Sequence, residues 1–131
     1  MVKRTTKHSE RLDLTFSMFM SAVDRLEKKI IESGKKYKNI YAIPRGGVVL
    51  GLCLSHRLKL PMISWSNAIK SNTLVVDDIC DTAITLSRYS KNDRVAIVTK
   101  MAGLDSIPDL MYAYGVADHI WVRFWWEKDD T

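Results

Sequence analysis

Residues 73–86 read TLVVDDICDTAITL. The stretch opens on an apolar run, Leu74-Val75-Val76, and turns within one residue into acids and small hydroxyl side chains. A run without polar alternation is what a strand covered on both faces produces. Behind it come Asp77, Asp78 and Asp81, then Thr82, Ala83, Ile84 and Thr85 at the start of a short helix expected over 82–89. Carboxylates grouped this closely repel one another unless something positive or hydroxylated lies between them. Backbone N–H groups at a helix start attract anions. The combination points to a pocket for a sugar, a metal and a phosphate.

Outward from this stretch the chain alternates strands and helices. Upstream, 40–43 is a short apolar strand broken by Pro44-Arg45-Gly46-Gly47, and 48–58 returns to helical spacing. Such a turn sets backbone N–H groups and Arg45 at the carboxyl edge of a parallel sheet, where ligands of α/β folds bind. Before it, Phe16, Phe19, Val23, Leu26 and Ile30 recur at helical spacing, with Thr15 as N-cap and Gly34 as a stop, which predicts a helix over 15–33. Residues 61–65 read as a strand and 66–72 as a polar connection. Downstream, 94–99 is a strand rich in Val and Ile, with Lys100 directly after it. Residues 103–108 read as a loop, and 111–117 fit either regular state. The end, 119–127, gathers three of the four Trp. The expected architecture is α/β: a mainly parallel open sheet flanked by helices, capped by a small C-terminal hood.

Size and composition set the outer bounds. A chain of 131 residues, 47% apolar and 27% charged, fits one domain with one core. Residues 1–11 are polar and basic and are expected to be a flexible arm. No apolar run approaches a membrane span, and no signal-peptide core is present at the start. Cys53 and Cys80 lack metal-ligand spacing and are expected to stay reduced, which fits a cytoplasmic protein. The histidines at 8, 56 and 119 also lack ligand spacing. A net charge of +5 permits a nucleic-acid partner without requiring one; a phosphate-rich substrate accounts for part of it equally well.

The order strand, Asp77-Asp78, Ile79-Cys80, Asp81-Thr82-Ala83-Ile84-Thr85 resembles the phosphoribosyl-diphosphate (PRPP) motif of the type I phosphoribosyltransferases. Pro44 to Gly47 stands where that family carries its pyrophosphate-binding loop. The likeness is greatest to the microbial xanthine-guanine and hypoxanthine phosphoribosyltransferases. It includes an aromatic-led helix from Thr15-Phe16, a Lys after the strand that follows the motif (Lys100), and the pairs Trp121-Val122 and Trp126-Glu127. It implies transfer of ribose-5-phosphate from PRPP to a 6-oxopurine, giving a nucleoside monophosphate and pyrophosphate. Asp77 and Asp78 would hold the ribose hydroxyls and Mg²⁺. Asp81 would be the general base. Asp81 and residues Thr82, Ala83, Ile84 and Thr85 would hold the 5′-phosphate, and Arg45, Gly46 and Gly47 the pyrophosphate. On the base side, Lys100 would donate to the 6-oxo group, Trp121 would stack on the ring, and the Val122 carbonyl would read the 2-position. A homodimer or homotetramer is implied as well.

The chain departs from the family pattern in three places. Ala83 stands where the family has Gly, Trp125 where relatives often have Pro, and the interval 60–73 is too short for a strand plus the family's closing loop. The basic balance, Ala83 and the short interval favour the alternative, a non-catalytic relative on the same fold that senses nucleotides or binds RNA or DNA.

Overall fold

The structure, a computed structural model, describes residues 2–3 and 10–128. Helix α1 (Phe16–Glu32) follows directly from its sequence pattern. Thr15 Oγ1 accepts the Met18 amide at 3.2 Å, which satisfies one of the orphan donors of the first turn. Phe19, Ala22, Val23, Leu26 and Ile30 form the buried stripe, and Gly34 ends the helix at φ +71°.

The strands β3 (Asn39–Ala42), β4 (Met62–Ile63), β5 (Thr73–Cys80), β6 (Arg94–Lys100) and β7 (Met111–Val116) form a five-stranded sheet in the order β4-β3-β5-β6-β7. Every pairing in it is parallel. β6 is buried at all its positions, the signature of a strand covered on both faces. One face is covered by α1 and by α2 (Gly47–Leu58), whose Leu50 and Leu54 join the core with Phe19 and Leu26. The other face carries the short helices α3 (Ile84–Ser87) and α4 (Met101–Ser106), with a smaller apolar cluster around Val75, Cys80, Leu86 and Ile107.

A second, three-stranded sheet runs in the order β1-β2-β8, from β1 (Val2–Lys3), β2 (Arg11–Leu14) and β8 (Trp121–Phe124). β2 and β8 pair in parallel, Leu14 opposite Phe124. Both side chains are buried in the same core cluster as α1 and α2. This sheet is the expected hood, but two of its three strands come from the start of the chain.

Of the arm expected at 1–11, Val2–Lys3 form β1 and Arg11 opens β2, while residues 1 and 4–9 lie outside the described set. Other sequence expectations are corrected. The strand expected at 61–65 shrinks to Met62–Ile63, and the polar connection after it holds a single 3-10 turn, Ser66–Ala68. The central strand extends to Cys80, so Asp77 and Asp78 lie within β5 rather than beyond it. The helix expected at 82–89 is only Ile84–Ser87. Residues 101–106, the last four of which were expected to be loop, form α4, and the undecided 111–117 is the edge strand β7.

Candidate functional site

The sheet order itself locates the site. After β3 the chain crosses by α2 to β4 on one side, then returns to place β5 on the other side of β3. The two connections leave in opposite directions between β3 and β5, which opens a crevice at their carboxyl ends where ligands of open α/β sheets bind. The two segments entering that crevice are 44–47 after β3 and 77–85 at the end of β5.

Residues 77–86 wrap a cavity of about 240 Å³. Asp77 and Asp78 stand at the end of β5, Asp81 and Thr82 in the turn, and Ala83, Ile84 and Thr85 lead into α3. The chain achieves this fold-back with Ala83 at φ +70°, a left-handed conformation that disfavours a residue with a Cβ. The position where Ala replaces the family's Gly is therefore one whose backbone suits Gly. Arg94, buried at the start of β6, donates through Nη1 to the Leu86 carbonyl at 3.1 Å and so fastens the far end of α3.

Asp77 is buried, and burial, with the hydrogen bond and negative charge of Asp78 added, pushes its pKa up to about 8. The Asp78 amide donates to Asp77 Oδ1 at 2.8 Å and partly offsets this. Asp77 thus keeps its proton at neutral pH because no cation lies close enough to offset burial and Asp78, as expected of a site that awaits a cation or hydroxyl. Asp81, by contrast, is exposed and pairs with Lys100 Nζ at 3.4 Å. The Lys100 side chain is nine-tenths buried, so its ammonium reaches the crevice from the end of β6 with little freedom.

A larger cavity, about 630 Å³, adjoins the first at Asp78, which lines both. Arg45, Gly46 and Val49 form its wall on the main sheet, while Trp126, Glu127 and Lys128 close it from the hood. Gly47 starts α2 hard against β5: a Cβ there would lie 2.6 Å from the Val76 carbonyl oxygen. That closeness sets the Arg45 turn beside Asp78. The Pro44–Arg45 peptide bond is cis.

The base-side residues are less concentrated. Neither cavity is lined by Lys100, Trp121 or Val122. Trp121 is exposed and Val122 is buried in the hood core. The Trp121 amide donates to the Glu10 carbonyl at 3.1 Å, so Trp121 presents its backbone groups to β2. In an extended strand the next residue presents its own to the opposite side. The Val122 carbonyl therefore faces the outer edge of β8, an edge strand of its sheet. The loop before β8 is tied to α4 by the Ala102 amide, which donates to Asp118 Oδ1 at 3.0 Å.

Sequence reasoning missed Val49 and Lys128 as parts of the site. Val49 carries no chemical signal, and Lys128, although it directly follows the Trp126-Glu127 pair, is brought to the site only by the fold of the hood.

No protein-family model matches the chain, and no curated protein matches it by sequence. Solved structures do resemble it. A purine phosphoribosyltransferase from Pyrococcus horikoshii superposes with a TM-score of 0.76 at 22% identity, over 92% of this chain and 97% of its own. A hypothetical protein from Neisseria gonorrhoeae with bound ppGpp gives 0.71 at 20% identity, over 92% of each chain. The xanthine-guanine-hypoxanthine phosphoribosyltransferase of Helicobacter pylori gives 0.71 at 17% identity, over 88% of this chain and 91% of its own. Parallel sheet order, hood and near-complete coverage agree in one conclusion: the chain has the type I phosphoribosyltransferase fold.

Proposed function

We propose that the protein is a purine phosphoribosyltransferase that joins a 6-oxopurine (guanine, xanthine or hypoxanthine) to the ribose-5-phosphate of PRPP. The observation that carries this reading is the Asp81–Lys100 pair at the rim of the cavity formed by residues 77–86. A carboxylate beside an ammonium matches one edge of a 6-oxopurine, where N7–H donates and the neighbouring O6 accepts. A 6-aminopurine presents a donor at O6's place and would meet Lys100 with like polarity.

In the reaction the C1′–diphosphate bond breaks, N9 of the purine forms the new bond to C1′, and Asp81 takes the N7 proton. The N–H groups and hydroxyls of residues 82–85 hold the 5′-phosphate, and Asp77 and Asp78 hold the ribose hydroxyls. Arg45 and the backbone of Gly46 and Gly47 bind the diphosphate, for which a planar guanidinium is geometrically suited. Trp121 supplies a stacking face for the base. The outward-facing carbonyl of Val122 is available to a donor at the 2-position.

Asp77 and Asp78 fit Mg²⁺. They are hard oxygen donors whose mutual repulsion a cation relieves. Among the described residues no cluster of three or more His, Cys, Asp or Glu forms a protein cage. Mg²⁺ is ordinarily held by one or two carboxylates plus substrate oxygens rather than by such a cage. When bound it would neutralise charge on the departing diphosphate.

The second reading is a non-catalytic nucleotide sensor. Two observations favour it: the short 66–72 connection, which lines neither cavity, and the ppGpp bound to the Neisseria neighbour. Pyrophosphate release measured with PRPP, Mg²⁺ and each of guanine, xanthine and hypoxanthine separates the two. We expect release with at least one base, and Asp81→Ala to lower kcat far more than PRPP affinity. No turnover with any base, together with tight binding of nucleotide or RNA, would replace the enzyme by the sensor.

A further inference from the structure

We propose that Lys128, at the tip of the hood, is a substrate-contacting residue that binds the diphosphate of PRPP from the side opposite Arg45. The inference rests on the phosphoribosyltransferase reading and adds a residue to it.

The larger cavity has two cations, Arg45 on the main sheet and Lys128 on the hood, and two carboxylates, Asp78 and Glu127. Among the described residues neither Arg45 nor Lys128 forms an ion pair. Glu127 is already engaged: its Oε1 accepts the Phe124 amide at 2.8 Å, and its carbonyl accepts from Arg123 Nη2 at 2.9 Å. Phe124 and Trp126 are stacked at 4.8 Å, and Trp126 meets Phe19 of α1 edge-on. The backbone delivering Lys128 is thus fixed, while its four-carbon stem remains free to reach.

The order of groups across the two cavities matches the order of groups in PRPP. Residues 82–85 come first, then Asp77 and Asp78, then Arg45 and Lys128 beyond Asp78. A 5′-phosphate, a ribose and a diphosphate are joined in that sequence. The diphosphate end carries the most charge, and without Lys128 the larger cavity would hold one cation against two carboxylates. No residue of the 60–73 interval lines it. The cation facing Arg45 across this cavity therefore comes from the hood.

The test is binding of magnesium pyrophosphate and of guanosine monophosphate to the full chain by calorimetry, for wild type, Lys128→Ala and Lys128→Arg. Charge-assisted contacts of this kind are worth about tenfold or more in affinity. We expect Lys128→Ala to weaken pyrophosphate binding about tenfold, Lys128→Arg to restore most of it, and the monophosphate, which lacks a diphosphate, to bind all three alike. Unchanged pyrophosphate binding in Lys128→Ala would overturn the inference, as would equal weakening of both ligands or absence of pyrophosphate binding to wild type. Because the readout is binding, it stands apart from turnover. A chain that binds pyrophosphate through Lys128 yet shows no transfer would leave this assignment intact while the enzymatic reading fails.

Discussion

Ala83 and Asp77 carry the sharpest tension at the residue scale. Holding Ala83 at φ +70° costs about 1–2 kcal/mol relative to Gly. Against that, Ala restricts the unfolded chain by about 0.4–1 kcal/mol, and its buried methyl contributes about 0.8 kcal/mol. These nearly cancel, so Ala83→Gly should change stability by less than about 1 kcal/mol in denaturant titration. Ala83→Val has no such offset, because a branched Cβ is far worse in the left-handed region. It should lower stability by roughly 2–3 kcal/mol. If Val is tolerated as well as Gly, the loop does not have this backbone.

Asp77 makes a pH prediction. Its folded pKa of about 8 lies above the ordinary 3.8, so in between the folded protein keeps a proton that the unfolded chain has released. Its contribution to stability is therefore full below about pH 4 and is lost as pH rises through about 8. Asp77→Asn resembles the protonated form at every pH. Melting temperatures taken from pH 5 to 9 should fall for wild type relative to the variant, with the gap widening until about pH 8. Parallel profiles would mean that Asp77 titrates normally.

Among the elements, β5 and α2 set the crevice, and Gly47 sets how closely they meet. A methyl at Gly47 would lie 2.6 Å from the Val76 carbonyl oxygen and 3.0 Å from Asp77 Cα, both backbone atoms that cannot swing aside. Gly47→Ala should cost roughly 1–3 kcal/mol and weaken pyrophosphate binding by moving the Arg45 turn away from Asp78. Calorimetry and denaturant midpoints check the two halves; a variant as stable as wild type would mean that the contact is looser than it looks.

The elements also show what the sequence could and could not reveal. Helix α1, strand β3 with its turn, helix α2 and strand β6 were legible because each has one strong local signal: a cap and stripe, an apolar run, a break. The end of β5 was not, since polarity at Asp77 and Asp78 reads as departure from a strand while the backbone ladder continues to Cys80. Helix α4 was hidden by Gly103 and Pro108. Position 103 is glycine despite lying in the helix because a Cβ there would meet the Cys80 carbonyl oxygen at 2.7 Å. That reason lies in tertiary packing and leaves no local trace. β2 is only four residues, RLDL, with alternate burial. Its partner is more than a hundred residues away, a pairing that no window of sequence contains. Of the site, the acids, the phosphate loop and Arg45 were readable from spacing, whereas Lys128 joins them only through the fold of the hood.

At the scale of the whole molecule, the question is whether the hood is a separate flap or part of one cooperative unit. Its strands β2 and β8 place Leu14 and Phe124 opposite each other, 1% and 3% exposed, within the cluster that also holds Phe19, Leu50 and Val76. Trp125 and Trp126 add edge-on contacts to Phe16 and Phe19 of α1. A flap able to open independently would have its own small core or a weak boundary; here the boundary is the main core itself. Three of the four Trp lie in or beside β8, and the fourth, Trp65, is 75% exposed. Tryptophan fluorescence thus reports chiefly on the hood, while far-UV circular dichroism reports chiefly on the helices and main sheet. The two should give coincident unfolding curves. Leu14→Ala should shift both midpoints together, by an amount corresponding to about 2–5 kcal/mol. A fluorescence transition that precedes the circular dichroism, or a Leu14→Ala shift confined to fluorescence, would make the hood a flap. Lys128 and Arg45 would then face each other only part of the time. Coincident curves would mean that the two walls of the larger cavity are held in place before any ligand arrives.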